Sequence, residues 1–170
     1  MSDLAAACEA NRRSVAEFVT AARGVDAAAW GWEAAPGKWS PAQVTEHVTL
    51  AYEKTRDVLA NPPAGGVPWY LRPLVRYFYV RPILKTGKFP ANTKAPRQFR
   101  PSDAAEPAGA LLSRLESAAG GLERDLEGLA SQGRSAISHP IFGRILLPDA
   151  LQFQALHTAH HRRQLPPLQP

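Results

Sequence analysis

Apolar side chains recur at helical spacing over four stretches of the chain, and the glycine- and proline-rich runs between them mark where each stretch ends. From Ser2 to about Arg23, residues Leu4, Ala7, Val15, Phe18 and Val19 share one broad face, and Gly24 is a natural stop. The run "VDAAAWGWEAAPGK" reads as a connection whose two tryptophans pack over the end of a bundle. "WSPAQV" is the sharpest boundary. Ser40 suits an N-cap, Pro41 the first helical position, and Gln43 completes a capping box. Trp39 and Val44 have the spacing of a hydrophobic staple across that start. A second helix is therefore expected from Pro41 to about Ala60, closed by "NPPAGG".

Residues 67–101 break the pattern. Prolines at 68, 73, 82, 90, 96 and 101 exclude one long helix; a short amphipathic helix over Pro73–Val80 is expected, within an otherwise extended excursion. A long insertion in a compact domain is often a lid or binding loop. Helical spacing resumes through Leu111, Leu112, Leu115, Leu122, Leu126 and Leu129, with Ser102 or Asp103 as the expected cap and Gly120–Gly121 as an expected kink. "SHPIFGRILLPDA" reads as a turn-rich connection. A last helix should start at Pro148 or Asp149, run to about Leu165 and stop at Pro166–Pro167. No internal repeat and no paired strand is evident. The expectation is an all-α protein, a four-helix bundle in a single domain over 1–170.

Composition narrows the class. The 170 residues, 45% hydrophobic and 21% charged, suit one globular domain. The N-terminus lacks the apolar run of a signal peptide, and no stretch approaches the ~18 apolar residues of a membrane span. Cys8 is alone, which excludes an internal disulfide and suits the cytoplasm; in its Ala-rich helical setting it reads as an ordinary thiol rather than a reactive one. The net charge of +5 is uneven: Asp and Glu are absent between Val58 and Ser102, while Arg72, Arg76, Arg81, Lys85, Lys88, Lys94, Arg97 and Arg100 fall there. Such a segment can attract nucleic acid, anionic lipid or an acidic small molecule, or it can be a solvated loop with compensating acids nearby in space. Within it, the aromatics of "WYLRPLVRYFYVRPILK" could stack on bases or sit at a membrane surface. Packing as a cover over the bundle is the simpler expectation, and a nucleic-acid partner is not expected.

The chemistry concentrates in "HTAHHRRQL", residues 157–165, which hold three of the five histidines. His157 and His161 lie four apart, on one helical face, close enough to share a metal ion. A pair of histidines favoured by the negative end of the helix dipole is the simpler alternative, and Arg162 and Arg163 fit it. His47, on the expected core stripe of the second helix, supplies a third candidate ligand, giving a three-histidine arrangement with open positions. His160 points partly away and suits a supporting or proton-shuttling role. Gln154, three before His157, could orient a ligand. Glu46 is a further acid–base candidate but suits the surface better, and His139 suits a structural or pocket-rim role.

These motifs resemble the DinB-like (YfiT-like) superfamily. Its pattern W-S followed by six residues and His matches Trp39, Ser40 and His47; its pattern H-x-x-H-H-R-x-Q matches His157, His160, His161, Arg162 and Gln164. "SHPIFGRILLPDALQFQALH" is also similar to a subgroup in which H-P-x-F-G leads into the last helix. The resemblance implies a four-helix bundle of up-down-down-up topology and a divalent metal, nickel or zinc, held by His47, His157 and His161. It further implies a thiol-dependent transferase or isomerase acting on a small molecule with a low-molecular-weight thiol, and a homodimer, to which the 67–101 excursion could contribute. Metal-dependent hydrolysis, or a non-enzymatic metal-binding stress protein, are the alternatives. The basic excursion is not covered by these motifs.

Overall fold

The structure is a computed structural model that describes residues 3–33, 35–61, 67–90, 95–139 and 141–166. Pro62–Gly66, Lys94, Pro140 and Pro167, used in the boundary and charge readings above, lie outside them. The chain is mostly helical. Helix α1 (Leu4–Arg23) starts on Asp3, whose carboxylate accepts from the Ala5 amide. Helix α2 (Pro41–Ala60) starts on the expected capping box: the Gln43 amide donates to the Ser40 hydroxyl, and the Ser40 amide donates back to Gln43 Oε1. Of the two tryptophans before it, Trp30 is buried and donates to the Glu106 carbonyl, whereas Trp32 stays exposed.

The excursion is more helical than expected. Helix α3 (Arg72–Val75), a π-helical turn (Arg76–Val80) and helix α4 (Arg81–Thr86) follow one another without a break. Pro73 falls in the opening turn of the run, where a missing N–H is tolerated, whereas Pro82 lies inside it, just after the π-helical turn. The wider π turn joins the two segments. Gly87, at φ 67°, ends the run in the left-handed conformation that suits glycine. A short 3₁₀ turn (Arg97–Phe99) follows the segment outside the described residues.

Helix α5 (Ala108–Ser131) begins later than the Ser102 or Asp103 cap predicts. Ser102 is engaged elsewhere: its amide and hydroxyl both donate to Glu46 Oε2. Pro107 sets the start instead, because the residue before a proline disfavours helix. Helix α5 runs through Gly120–Gly121 without interruption. A side chain at Gly121 would collide with the Arg56 guanidinium, which crosses there to reach Asp125 at 2.7 Å.

A second correction concerns strands. "AISH" and "GRIL" pair as an antiparallel hairpin, β1 (Ala136–His139) and β2 (Gly143–Leu146), with Ile137 opposite Ile145 and His139 opposite Gly143. Ile137, His139, Gly143 and Ile145 face inward. Helix α6 (Leu147–Arg162) follows directly, starting one residue before the expected Pro148, with Pro148 and Asp149 in its first turn. The long helices α1, α2, α5 and α6 share one core, in which Phe18, Val48, Tyr52, Leu115, Leu122, Leu126 and Leu151 are sealed from solvent. Among the described residues, no helix is long and apolar enough to cross a membrane.

Candidate metal centre

His47 lies on the inner face of α2, and His157 and His161 lie one turn apart at the end of α6. The fold brings the three together, every potential ligand atom within 4.8 Å of the others. The Nε2 atom of His157 lies 3.2 Å from that of His47 and 3.1 Å from that of His161. Two nitrogens bound to one ion at about 2.0–2.1 Å stand roughly 3 Å apart, so these separations match a shared ion.

The outer nitrogens fix which lone pairs point inward. His47 Nδ1 lies 2.6 Å from the Phe99 carbonyl, which can only accept, so His47 carries its proton on Nδ1 and its Nε2 is bare. His161 Nδ1 donates in the same way to Gln164 Oε1 at 3.0 Å. His157 Nε2 faces both bare nitrogens and carries at most one proton, so it cannot satisfy the two. Its own Nδ1 is enclosed and has no partner among the described residues. Three neutral donors converging on one point suit a cation better than they suit one another.

Burial keeps all three rings neutral. It holds His47 below the usual imidazole range, against the opposing pull of the Phe99 carbonyl. Burial first, then the neighbouring imidazoles, holds His157 well below that range. His161 is pushed down to about 3 by burial and by His47. A neutral imidazole is the form that binds a metal. Among the described residues, no fourth His and no Cys, Asp or Glu joins the cluster.

Aromatic rings enclose the histidines. Trp39 packs on His47 with ring centroids 4.8 Å apart. Phe153 lies parallel to His157 at 6.4 Å, and Phe89 meets His157 at 5.6 Å and His160 at 5.0 Å. Phe142, at the hairpin tip, packs on Phe153. His160 is thus beside the cluster, against Phe89, and not within it. Gln154 is buried; its amide nitrogen donates to the Ala51 carbonyl and to Thr55 Oγ1, tying α6 to α2. Its Oε1 is enclosed without a partner, as is His157 Nδ1 one turn on. Glu46 is held by Ser102 and takes no part in the cluster. His139 is structural: it stacks on Phe142 at 4.3 Å, and its Nδ1 accepts from the Ile141 and Phe142 amides. Sequence reasoning did not reach the Phe99 carbonyl or Phe89, because a backbone acceptor and a distant loop aromatic leave no local signature. Gln164 was visible as a motif position, and its spacing of three from His161 was the available clue to its role.

A helical protein with three convergent histidines across two helices defines the class. A family model described as the DinB superfamily matches residues 10–165, and the chain belongs to that superfamily, whose members commonly bind metal. No curated protein and no solved structure matches the chain.

Proposed function

We propose that the protein is a divalent-metal-dependent enzyme, with His47, His157 and His161 as ligands to nickel or zinc, catalysing a thiol-dependent S-transfer or isomerisation on a small molecule. The observation that carries the metal assignment is the convergence of three Nε2 atoms, two of them bared by Nδ1–H donation to Phe99 and Gln164. A divalent ion bound there would lower the pKa of a coordinated thiol or water. His47 and His161 hold their rings in one tautomer, and Gln154 braces α6 on α2 beside them. Phe89, Phe142 and Phe153 exclude water from one side and offer an apolar wall to an electrophile.

The surroundings favour thiol transfer over hydrolysis. Glu46 is occupied by Ser102, and the cluster holds no carboxylate to serve as a base for water. A thiol starts from a far lower pKa than water, about 8.5, so it gives up its proton to bulk solvent with less help from a base. The lack of a fourth protein donor among the described residues also favours catalysis over a closed structural site. The helices are read within this proposal as the up-down-down-up bundle of the family.

The first test is metal content by mass spectrometry on untagged protein purified without chelators, beside His157→Ala. About one nickel or zinc per chain is expected, and its loss in the variant. Wild-type protein that stays metal-free after incubation with both ions would sink the metalloenzyme reading. Loaded protein is then assayed with low-molecular-weight thiols and electrophiles, and thiol-independent hydrolysis would move the assignment to a hydrolase.

A further inference from the structure

The helical run 72–86 has two faces. Its inner face, through Val75, Tyr79, Val80, Ile83 and Leu84, is buried or half-buried against the core. Its outer face and the turn before it carry Trp69, Tyr70, Leu71, Leu74, Tyr77 and Phe78, all exposed, with Trp69 78% and Phe78 70% accessible. Six of the eight exposed large hydrophobic residues among those described therefore fall in ten consecutive positions. Leu74, Phe78, Arg81 and Lys85 follow helical spacing along this outer surface, so the apolar stripe leads directly into cations.

The cations of the helical run have no close acidic partners among the described residues. Among the described residues, none of Arg72, Arg76, Arg81 or Lys85 forms an ion pair with a carboxylate. Arg72 and Arg76 donate instead to the Val67 and Arg144 carbonyls, which orders the side chains and leaves the positive charge in place.

We propose that this outer face is a docking surface for an anionic phospholipid bilayer. Tryptophan and tyrosine prefer the headgroup level, leucine and phenylalanine the acyl boundary below it, and arginine and lysine the anionic headgroups. All three classes are present, in one stripe. A second copy of the chain fits less well, because the same patch on both partners would set cation against cation with no acid from 58–102 between them. Nucleic acid fits less well too, since Leu71 and Leu74 offer no ring on which a base can stack. The segment adsorbs in the plane of the interface and does not span it.

The test is co-sedimentation of the full chain with phosphatidylcholine vesicles and with vesicles mixing phosphatidylcholine and phosphatidylglycerol, at low and high salt. Binding to the anionic vesicles is expected, weakened by salt and by leaving out phosphatidylglycerol. Leu74→Ser with Phe78→Ser should lower the partition coefficient at least about tenfold, through lost burial of two apolar side chains. Arg81→Glu with Lys85→Glu should lower it by about tenfold or more. All four side chains are outside the core, so unchanged thermal midpoints check that each variant is folded. The proposal is overturned if wild-type protein ignores anionic vesicles at low salt, or if binding survives Leu74→Ser with Phe78→Ser. It is also overturned if light scattering shows a dimer that this double variant makes monomeric, which would assign the face to a second copy. Binding to an oligonucleotide in preference to the anionic vesicles, lost in the same variant, would assign it to nucleic acid.

Discussion

Burial holds the folded His139 ring at about 4, against 6.5 for an exposed imidazole, and its Nδ1 is already committed to accepting two amides. The unfolded chain therefore takes up the proton first. The stability contributed by keeping this ring neutral is whole above 6.5 and drains as pH falls towards 4, by about 1.4 kcal/mol per pH unit at most. Urea midpoints of metal-free protein on either side of pH 6.5 carry the same drain from His47, His157 and His161, so the share of His139 is the difference from a variant at that position. His139→Asn, which loses the stack on Phe142, should be less stable at neutral pH yet show a shallower acid decline. Cys8 bears on the chemistry by staying out of it. Burial, with Glu123 and Glu127 close by, pushes its thiol up to about 11 from 9.0, so alkylation at neutral pH should run roughly a hundredfold slower than for an ordinary cysteine. The thiol in the proposed reaction comes from outside the chain.

At the scale of elements, the start of α2 shows what a local pattern can carry. Ser40, Pro41 and Gln43 satisfy orphan amides with no help from the rest of the fold, so the boundary was legible to the residue. Ser40→Ala should cost about 1 kcal/mol and lower the thermal midpoint by a few degrees. The start of α5 was misread for the converse reason: Ser102 has the chemistry of a cap, but Glu46, distant in sequence, holds it. The hairpin was missed because four-residue strands give too few alternations to stand out beside helical neighbours. In the excursion, prolines at 73 and 82 look like breaks, yet Pro73 opens the run and Pro82 follows the wider π turn.

For the molecule as a whole, a buried polar chain joins all four long helices. Tyr52 of α2 donates to Asn11 of α1 at 2.6 Å and meets Thr158 of α6 at 2.9 Å, and Asn11 donates to Glu123 of α5 at 2.9 Å. Tyr52→Phe leaves two buried partners short of one bond each and should cost about 1–3 kcal/mol, measured by urea unfolding. Nothing in the sequence pairs these residues, because each is polar within an otherwise apolar stripe and its partners are 41 to 112 positions away. The histidine cluster was legible by contrast, since two of its members share one turn and the third sits near a capped start; the Phe99 and Gln164 partners that orient the rings needed the fold. One last feature joins these scales. Strand β2 ends at Leu146 and α6 begins at Leu147, with no loop residue between them. Phe142, at the hairpin tip, also packs on Phe153 of α6, one turn before His157, so hairpin and helix meet at the tip as well as at the junction. Amide hydrogens across 143–151 should then exchange as one cooperative unit rather than strand first and helix later.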